Sequence, residues 1–147
     1  MTNITYDYIR GFVQGTGTFT FTTSSNLGSL KPRRIPAFQL RMPASDEQLL
    51  KAIKDKLKLK NKIYVYHYPG KDKANRKPIA LLIVREIGAL KNIIIPLFYG
   101  RLVGNRAEQF KEWLERMDAD PSVPKSYKIL YRLHRGGFYG GTSKFKD

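Results

Sequence analysis

Short runs of alternating apolar and polar residues are separated by segments whose apolar residues recur every three or four positions, which predicts strands and helices in mixed order. Residues 18–23 alternate as a strand, Thr18-Phe19-Thr20-Phe21-Thr22, and a polar turn over 24–29 leads to a second strand over 35–42. In that strand Phe38, Leu40 and Met42 share one face, leaving Gln39 and Arg41 on the other. Ser45-Asp46-Glu47-Gln48 has the form of a capping box with Ser45 as cap, opening a helix whose stripe is Leu49, Leu50, Ile53 and Leu57. Over 62–68, Ile63 and Val65 alternate with Tyr64, Tyr66 and Tyr68, and the apolar run 79–84 reads as a buried strand. A basic loop over 70–77 makes these two a hairpin. Residues 86–95 predict a helix ended by Pro96. Residues 105–117 predict another, capped by Asn105, with Phe110, Trp113, Leu114 and Met117 inward. The order of elements predicts an α+β domain, an antiparallel four-stranded sheet with helices on one face.

Ahead of the first strand lies Tyr8-Ile9-Arg10-Gly11-Phe12-Val13-Gln14-Gly15-Thr16-Gly17, a short helix stopped by Gly17. Gly11 and Gly15 are four apart and fall on one face beside Tyr8 and Phe12, where small residues let another backbone approach closely. Arg10 and Gln14 lie on the flank of that stripe, which keeps the packing face uncharged.

This stretch resembles the motif of the LAGLIDADG homing endonucleases: a helix of aliphatic, small, Gly, apolar, apolar, acid, small, acid, Gly, running into a strand. Residues 9–17 agree at both motif glycines, Gly11 and Gly17, at the small residue Gly15, and at Ile9, Phe12 and Val13. They depart at both acids, where Gln14 and Thr16 stand, and Arg10 replaces a small residue. The order of elements is also similar to the family's single-motif domain over roughly residues 5–117. With only one copy of the motif, the resemblance implies that its helix pairs with another subunit, either a second copy or a different protein.

Charge sharpens the picture. The 147 residues carry 27 Lys and Arg against 12 Asp and Glu, a net charge of +15, a field that attracts polyanions, most often nucleic acid. No acid occurs between Asp7 and Asp46. No apolar run approaches the roughly 20 residues of a membrane span, and no secretory signal is visible, so an intracellular setting is expected, in an organelle (mitochondrion or chloroplast) or a prokaryotic cytoplasm. Zero cysteines exclude disulfides and thiolate metal sites. Two units are expected: residues 1–120 as a LAGLIDADG-like nucleic-acid-binding domain, and 121–147 as linker, basic helix and glycine-rich tail, the last flexible unless a partner orders it.

The resemblance implies that cleavage needs a divalent metal held by the second motif acid, where this chain has Thr16. A neutral hydroxyl cannot hold Mg²⁺ against its hydration shell without carboxylate help, and the nearest acid in sequence, Asp7, lies more than two helical turns away at about 1.5 Å per residue. No catalytic residue and no cofactor is therefore expected. The alternative is an active homing endonuclease with displaced ligands, which would use Mg²⁺. His67 and His134 stand apart and suit packing or surface roles. Resemblance places the ligand on the sheet: Arg33, Arg34, Gln39 and Arg41 on the first hairpin and Lys62, Tyr64 and Tyr66 on the third strand, with Lys71, Lys73, Arg76 and Lys77 on phosphates. Lys125, Lys128, Arg132 and Arg135 make the tail basic, and its aromatics and Arg-Gly-Gly favour RNA over duplex DNA. The expected function is nucleic-acid binding without cleavage, as a splicing cofactor or a structural part of a ribonucleoprotein such as a ribosome.

Overall fold

The structure, a computed structural model, describes residues 3–24, 32–67, 77–141 and 144–147. In chain order it comprises α1 (Tyr6–Thr16), β1 (Thr18–Ser24), β2 (Arg33–Pro43), a 3-10 turn (Ala44–Asp46), α2 (Glu47–Lys56), β3 (Ile63–Tyr66) and β4 (Ile79–Val84). There follow α3 (Ile87–Ala89), a π turn (Leu90–Ile94), α4 (Ile95–Phe98), α5 (Gly104–Ala119), a second 3-10 turn (Lys125–Tyr127) and α6 (Lys128–Arg135). The strands form one antiparallel sheet in the order β1-β2-β4-β3, so the expected α+β class holds.

Register decides which residues face the helices. Phe19 lies opposite Phe38, and Leu82 opposite both Leu40 and Ile63; opposed residues share a face. That face packs against Ile9 and Val13 of α1, Leu50 and Ile53 of α2, Leu97 and Phe98 of α4, Trp113 of α5 and Leu130 of α6 in a single core. Phe19 sits at its centre, its ring 5.4 Å from Phe38, 5.6 Å from Phe98, 4.9 Å from Phe110 and 5.2 Å from Trp113. Spacings in this range suit edge-to-face and tilted aromatic packing. The Trp113 indole N–H donates to Thr20 O at 2.8 Å, tying α5 to β1.

Several local expectations are corrected. Ser45 lies in the 3-10 turn, and α2 begins after Asp46 with no side-chain cap bond. Asn105 is inside α5, whose cap position is Val103. Pro96 does not end a helix: the wide π turn precedes it, and α4 continues to Phe98. Proline lacks an N–H and crowds the preceding turn, which a widened turn accommodates.

The tail closes back on the domain. Val123, Leu130, Tyr139 and Phe145 are buried, and α6 packs on α5 as part of the helical layer. Tyr99 Oη lies 2.6 Å from His134 Nδ1, which gives that histidine a packing role. The glycine-rich end expected to be flexible therefore includes Tyr139 and Phe145 as core residues.

Candidate nucleic-acid interface and the motif helix

α1 begins at Thr5, whose hydroxyl accepts from the Tyr8 N–H at 3.0 Å. Its start is capped a second time from the far end of the chain. The Asp147 carboxylate accepts from the N–H of Tyr6 at 2.7 Å and of Asp7 at 2.9 Å, placing negative charge at the positive end of the helix. The bond from Asp7, the charge of Lys56 and Arg10 and the bond from Tyr6 hold that carboxyl below the ordinary aspartate range, against some desolvation.

Arg10, expected on the flank, is buried at 8% exposure. Its Nε donates to Leu97 O at 2.7 Å, one terminal nitrogen to Phe145 O at 2.6 Å and the other to Asp7 at 2.9 Å. The guanidinium thus joins α1, α4 and the tail. Gly11 and Gly15, by contrast, are exposed, and a Cβ on either would meet open space. Beside them Tyr8 is 46% exposed, its ring 6.4 Å from that of Phe12. Tyr8, Gly11 and Gly15 are turned away from the core, while Phe12 is half-buried and packs against its edge.

Gly17 does a different job from the one its position suggested. Its φ of −75° and ψ of 158° are ordinary extended values, so no left-handed turn is made. A Cβ there would stand 2.5 Å from Val13 Cγ1 and 3.0 Å from Val13 Cβ. The glycine is required by the closeness of its own helix.

The two acid positions are committed to structure. Gln14 Nε2 donates to Val103 O at 2.7 Å while the Val103 N–H donates to Gln14 Oε1 at 3.0 Å. Thr16 Oγ1 donates back to Phe12 O at 2.9 Å. Arg106 completes this end of α1, with Nε 3.4 Å from Gln14 O and a terminal nitrogen 3.5 Å from Gly15 O. A cation there suits the negative end of the helix. Its other terminal nitrogen donates to Gln109 Oε1 at 2.7 Å. Sequence inspection passes over Arg106, Val103 and Asp147, because each meets α1 only through long-range folding.

On the sheet, the face away from the helices carries Thr18 opposite Gln39, Arg41 opposite Leu81, and Leu81 opposite Tyr64. Arg33 belongs to the same row of β2, and Lys62 to the same side of β3, with Nζ 5.6 Å from the Tyr64 ring centroid. Tyr64 and Tyr66 stack at 6.3 Å and 26°, each 42% exposed. Gln39, Arg41, Lys62, Tyr64 and Tyr66 are thus brought together, while Arg33 shares their face at the opposite end of β2.

Arg34 is not among them. It points to the helical side, 3.4 Å from Asp120, over the Phe21 ring at 5.5 Å, with its N–H on Ser122 O. Lys77 is exposed just before β4, whereas Lys71, Lys73 and Arg76 lie outside the described residues. Lys125, Arg132 and Arg135 are exposed on the helical layer. Lys128 instead donates to Asp118 O at 2.7 Å, capping the end of α5.

A glycine-faced helix feeding a sheet whose open side carries arginine, glutamine and stacked tyrosines is the homing-endonuclease fold. Residues 9–117 match the family model for LAGLIDADG endonuclease, and the chain belongs to that family. The homing endonuclease I-TnaI superposes over 94% of this chain and 79% of its own, with a TM-score of 0.63 at 20% identity. The meganuclease I-CpaMI, solved bound to uncleaved DNA, matches over 94% of this chain and 43% of its own (TM-score 0.65, 19% identity). I-LtrWI, solved bound to target DNA, matches over 88% and 41% (TM-score 0.62, 24% identity). The chain spans less than half the length of these last two. No curated protein matches it.

Cleavage by this fold implies a divalent metal, which needs charged hard-oxygen ligands. At the end of α1 the donors are an amide bonded to Val103, a hydroxyl bonded to Phe12 and carbonyls facing Arg106. Among the described residues no three His, Asp or Glu side chains converge on a metal site. The residues present do not fit that ion. Among the described residues no helix is long and apolar enough to cross a membrane.

Proposed function

We propose that this chain is a nucleic-acid-binding protein that keeps the LAGLIDADG scaffold, has lost metal-dependent cleavage, and takes RNA as its ligand, as a splicing cofactor or a structural part of a ribonucleoprotein. The commitment of Gln14 and Thr16 to Val103 and Phe12, with Arg106 against the same helix end, carries the loss of cleavage. A metal bound there would need the carboxylates this chain lacks, and the guanidinium already supplies positive charge.

Binding is supported by the open sheet face. Arg33, Gln39 and Arg41 offer donors and acceptors for base edges or phosphates, with no acid on β1 to β4 to oppose them. RNA is favoured by the accessible Tyr64 and Tyr66 rings, since unpaired bases stack on such surfaces and paired ones do not. The exposed face of α1 pairs with a second copy of the chain or with a different protein. Nearly complete coverage of this chain by less than half of I-CpaMI fits a domain that works in pairs.

The test is incubation of the purified chain with DNA spanning its own locus in Mg²⁺ or Mn²⁺, alongside retention on structured RNA and duplex DNA at matched salt. No double-strand cutting and preferential retention of RNA are expected. Specific metal-dependent cutting would establish the endonuclease alternative instead.

A further inference from the structure

Away from the sheet face, a cavity of about 250 Å³ opens between the π turn, the loop before α5 and the tail. Its walls include Lys91, Asn92, Arg101, Phe138, Tyr139 and Lys144, and no acidic residue lines it. Phe138 is 61% exposed, the second-largest exposure among the large hydrophobic side chains described. It stands nearly perpendicular to Tyr139, at 89° and 5.1 Å between centroids. Tyr139 is the fixed wall: its hydroxyl donates to Lys91 O at 3.2 Å and its ring lies 5.5 Å from Tyr99. Burial pushes its phenol up to about 12, so it remains a neutral ring at physiological pH.

A neighbouring cavity adjoins it. This second one, of about 440 Å³, shares Asn92 and Lys144 with it and adds Lys56 and Lys58. The nearby acid, Asp147, has both carboxylate oxygens engaged by the N–H groups of Tyr6 and Asp7. Five cations therefore line two cavities that meet at Asn92 and Lys144, and among the described residues none of the five makes an ion pair. A positive groove with an accessible aromatic ring at one end is the combination that holds a single strand: cations follow the backbone while rings take unstacked bases. A duplex offers the cations its phosphates but has no free base for Phe138.

We propose that this groove, running from Phe138 past Asn92 to Lys58, is a second nucleic-acid site that binds an unpaired stretch of RNA, one base stacking on Phe138 and adjacent phosphates meeting Arg101, Lys91 and Lys144. It rests on RNA being the ligand and is distinct from the sheet surface of Arg41 and Tyr64. The tail thereby serves RNA through a formed groove on the helical layer.

The test measures binding of the full chain to a labelled oligouridylate of about twelve nucleotides, within the usual span of single-strand sites, and to duplex DNA of the same length. Phe138→Ala and Phe138→Leu should each weaken oligouridylate binding about tenfold, the usual scale for losing one stacked base, with Phe138→Trp near wild type. Both should leave duplex binding within about twofold and the melting temperature unchanged, because the ring is exposed. Arg101→Ala should weaken the oligouridylate more than the duplex, and Arg41→Ala on the sheet should do the reverse. Unchanged oligouridylate binding in Phe138→Ala and Phe138→Leu would overturn the groove while leaving an RNA-binding sheet intact. Loss of both ligands in equal proportion from Arg101→Ala would reduce the groove to general polyanion attraction. A wild-type chain that retains duplex but no RNA of either kind would overturn the RNA ligand and the groove together.

Discussion

The side-chain amide of Gln14 and the backbone of Val103 close a two-bond ring, with Nε2 to Val103 O at 2.7 Å and Val103 N–H to Oε1 at 3.0 Å. One side chain therefore satisfies both polar groups of the residue that precedes α5. An amide is needed because it both donates and accepts. Gln14→Glu keeps the shape but turns a carboxylate toward Val103 O. It should cost roughly 1 kcal/mol at neutral pH, and the cost should shrink below about pH 4 as the new carboxyl becomes a donor. Urea unfolding at the two pH values measures this; equal loss at both would show that the donated bond contributes nothing.

Gly17 and Val13 give a packing prediction. Gly17→Ala would place Cβ within 2.5 Å of Val13 Cγ1, and valine in a helix has essentially one side-chain rotamer in which to retreat. A loss of about 1–3 kcal/mol is expected, the usual range for overpacking. Val13→Ala in the same chain should recover part of it. A double-mutant cycle reads the coupling, and additive losses would place the strain elsewhere.

The alternating strands, the inward stripe of α5 and the α+β order are legible in the sequence because they follow from local periodicity. So are Gln39, Arg41, Tyr64 and Tyr66 as a shared surface, since strand alternation fixes their side once the hairpins are placed. Arg34 shows where that logic ends: its neighbour Arg33 differs by one position and so faces the other way, and only the fold shows which of the two meets Asp120. Arg10 reaches from α1 to Leu97 across 87 residues, Arg106 meets Gly15 across 91 and Asp147 meets Tyr6 across 141. No window of sequence contains such pairings. The tail misleads for the same reason, because its glycines signal flexibility while Tyr139 and Phe145 find distant partners.

Gly15 separates stability from assembly. A side chain there meets open space in the single chain, so at concentrations low enough that wild type is also unpaired, Gly15→Leu should leave the melting temperature equal to or slightly above wild type, leucine being the better helix former by several tenths of a kcal/mol. The same variant should abolish the proposed helix pairing, which requires close backbone approach. Sedimentation velocity on both proteins checks it; an unchanged oligomeric state would remove α1 from the interface.

Arg10 is the buried junction between the motif helix and the tail. Arg10→Met withdraws the guanidinium from Leu97 O and Phe145 O and should destabilise the chain by about 2–4 kcal/mol. Arg10→Lys should recover little, because a point charge cannot reproduce the fork that spans both carbonyls. The exposed partner Asp7 contributes little through an ion pair of this kind. Limited proteolysis should cut near the C-terminal end first in both variants, and an intact tail in Arg10→Met would show that Phe145 and Asp147 hold it unaided.

Asp147 predicts the direction of a pH effect. Its carboxyl is held below the ordinary aspartate value, first by the bond from the Asp7 N–H, with the Tyr6 N–H, Lys56 and Arg10 adding to it against desolvation. A carboxyl whose folded value is depressed contributes stability that is present above its unfolded value, about 3.9, and is lost as pH falls through the folded value. The melting-temperature difference between wild type and Asp147→Asn should therefore be present at pH 7 and disappear on acidification below pH 4. Taking the difference cancels the other carboxylates, which titrate in both proteins. A difference that stayed constant down to pH 2 would mean that the capping bonds act without the charge.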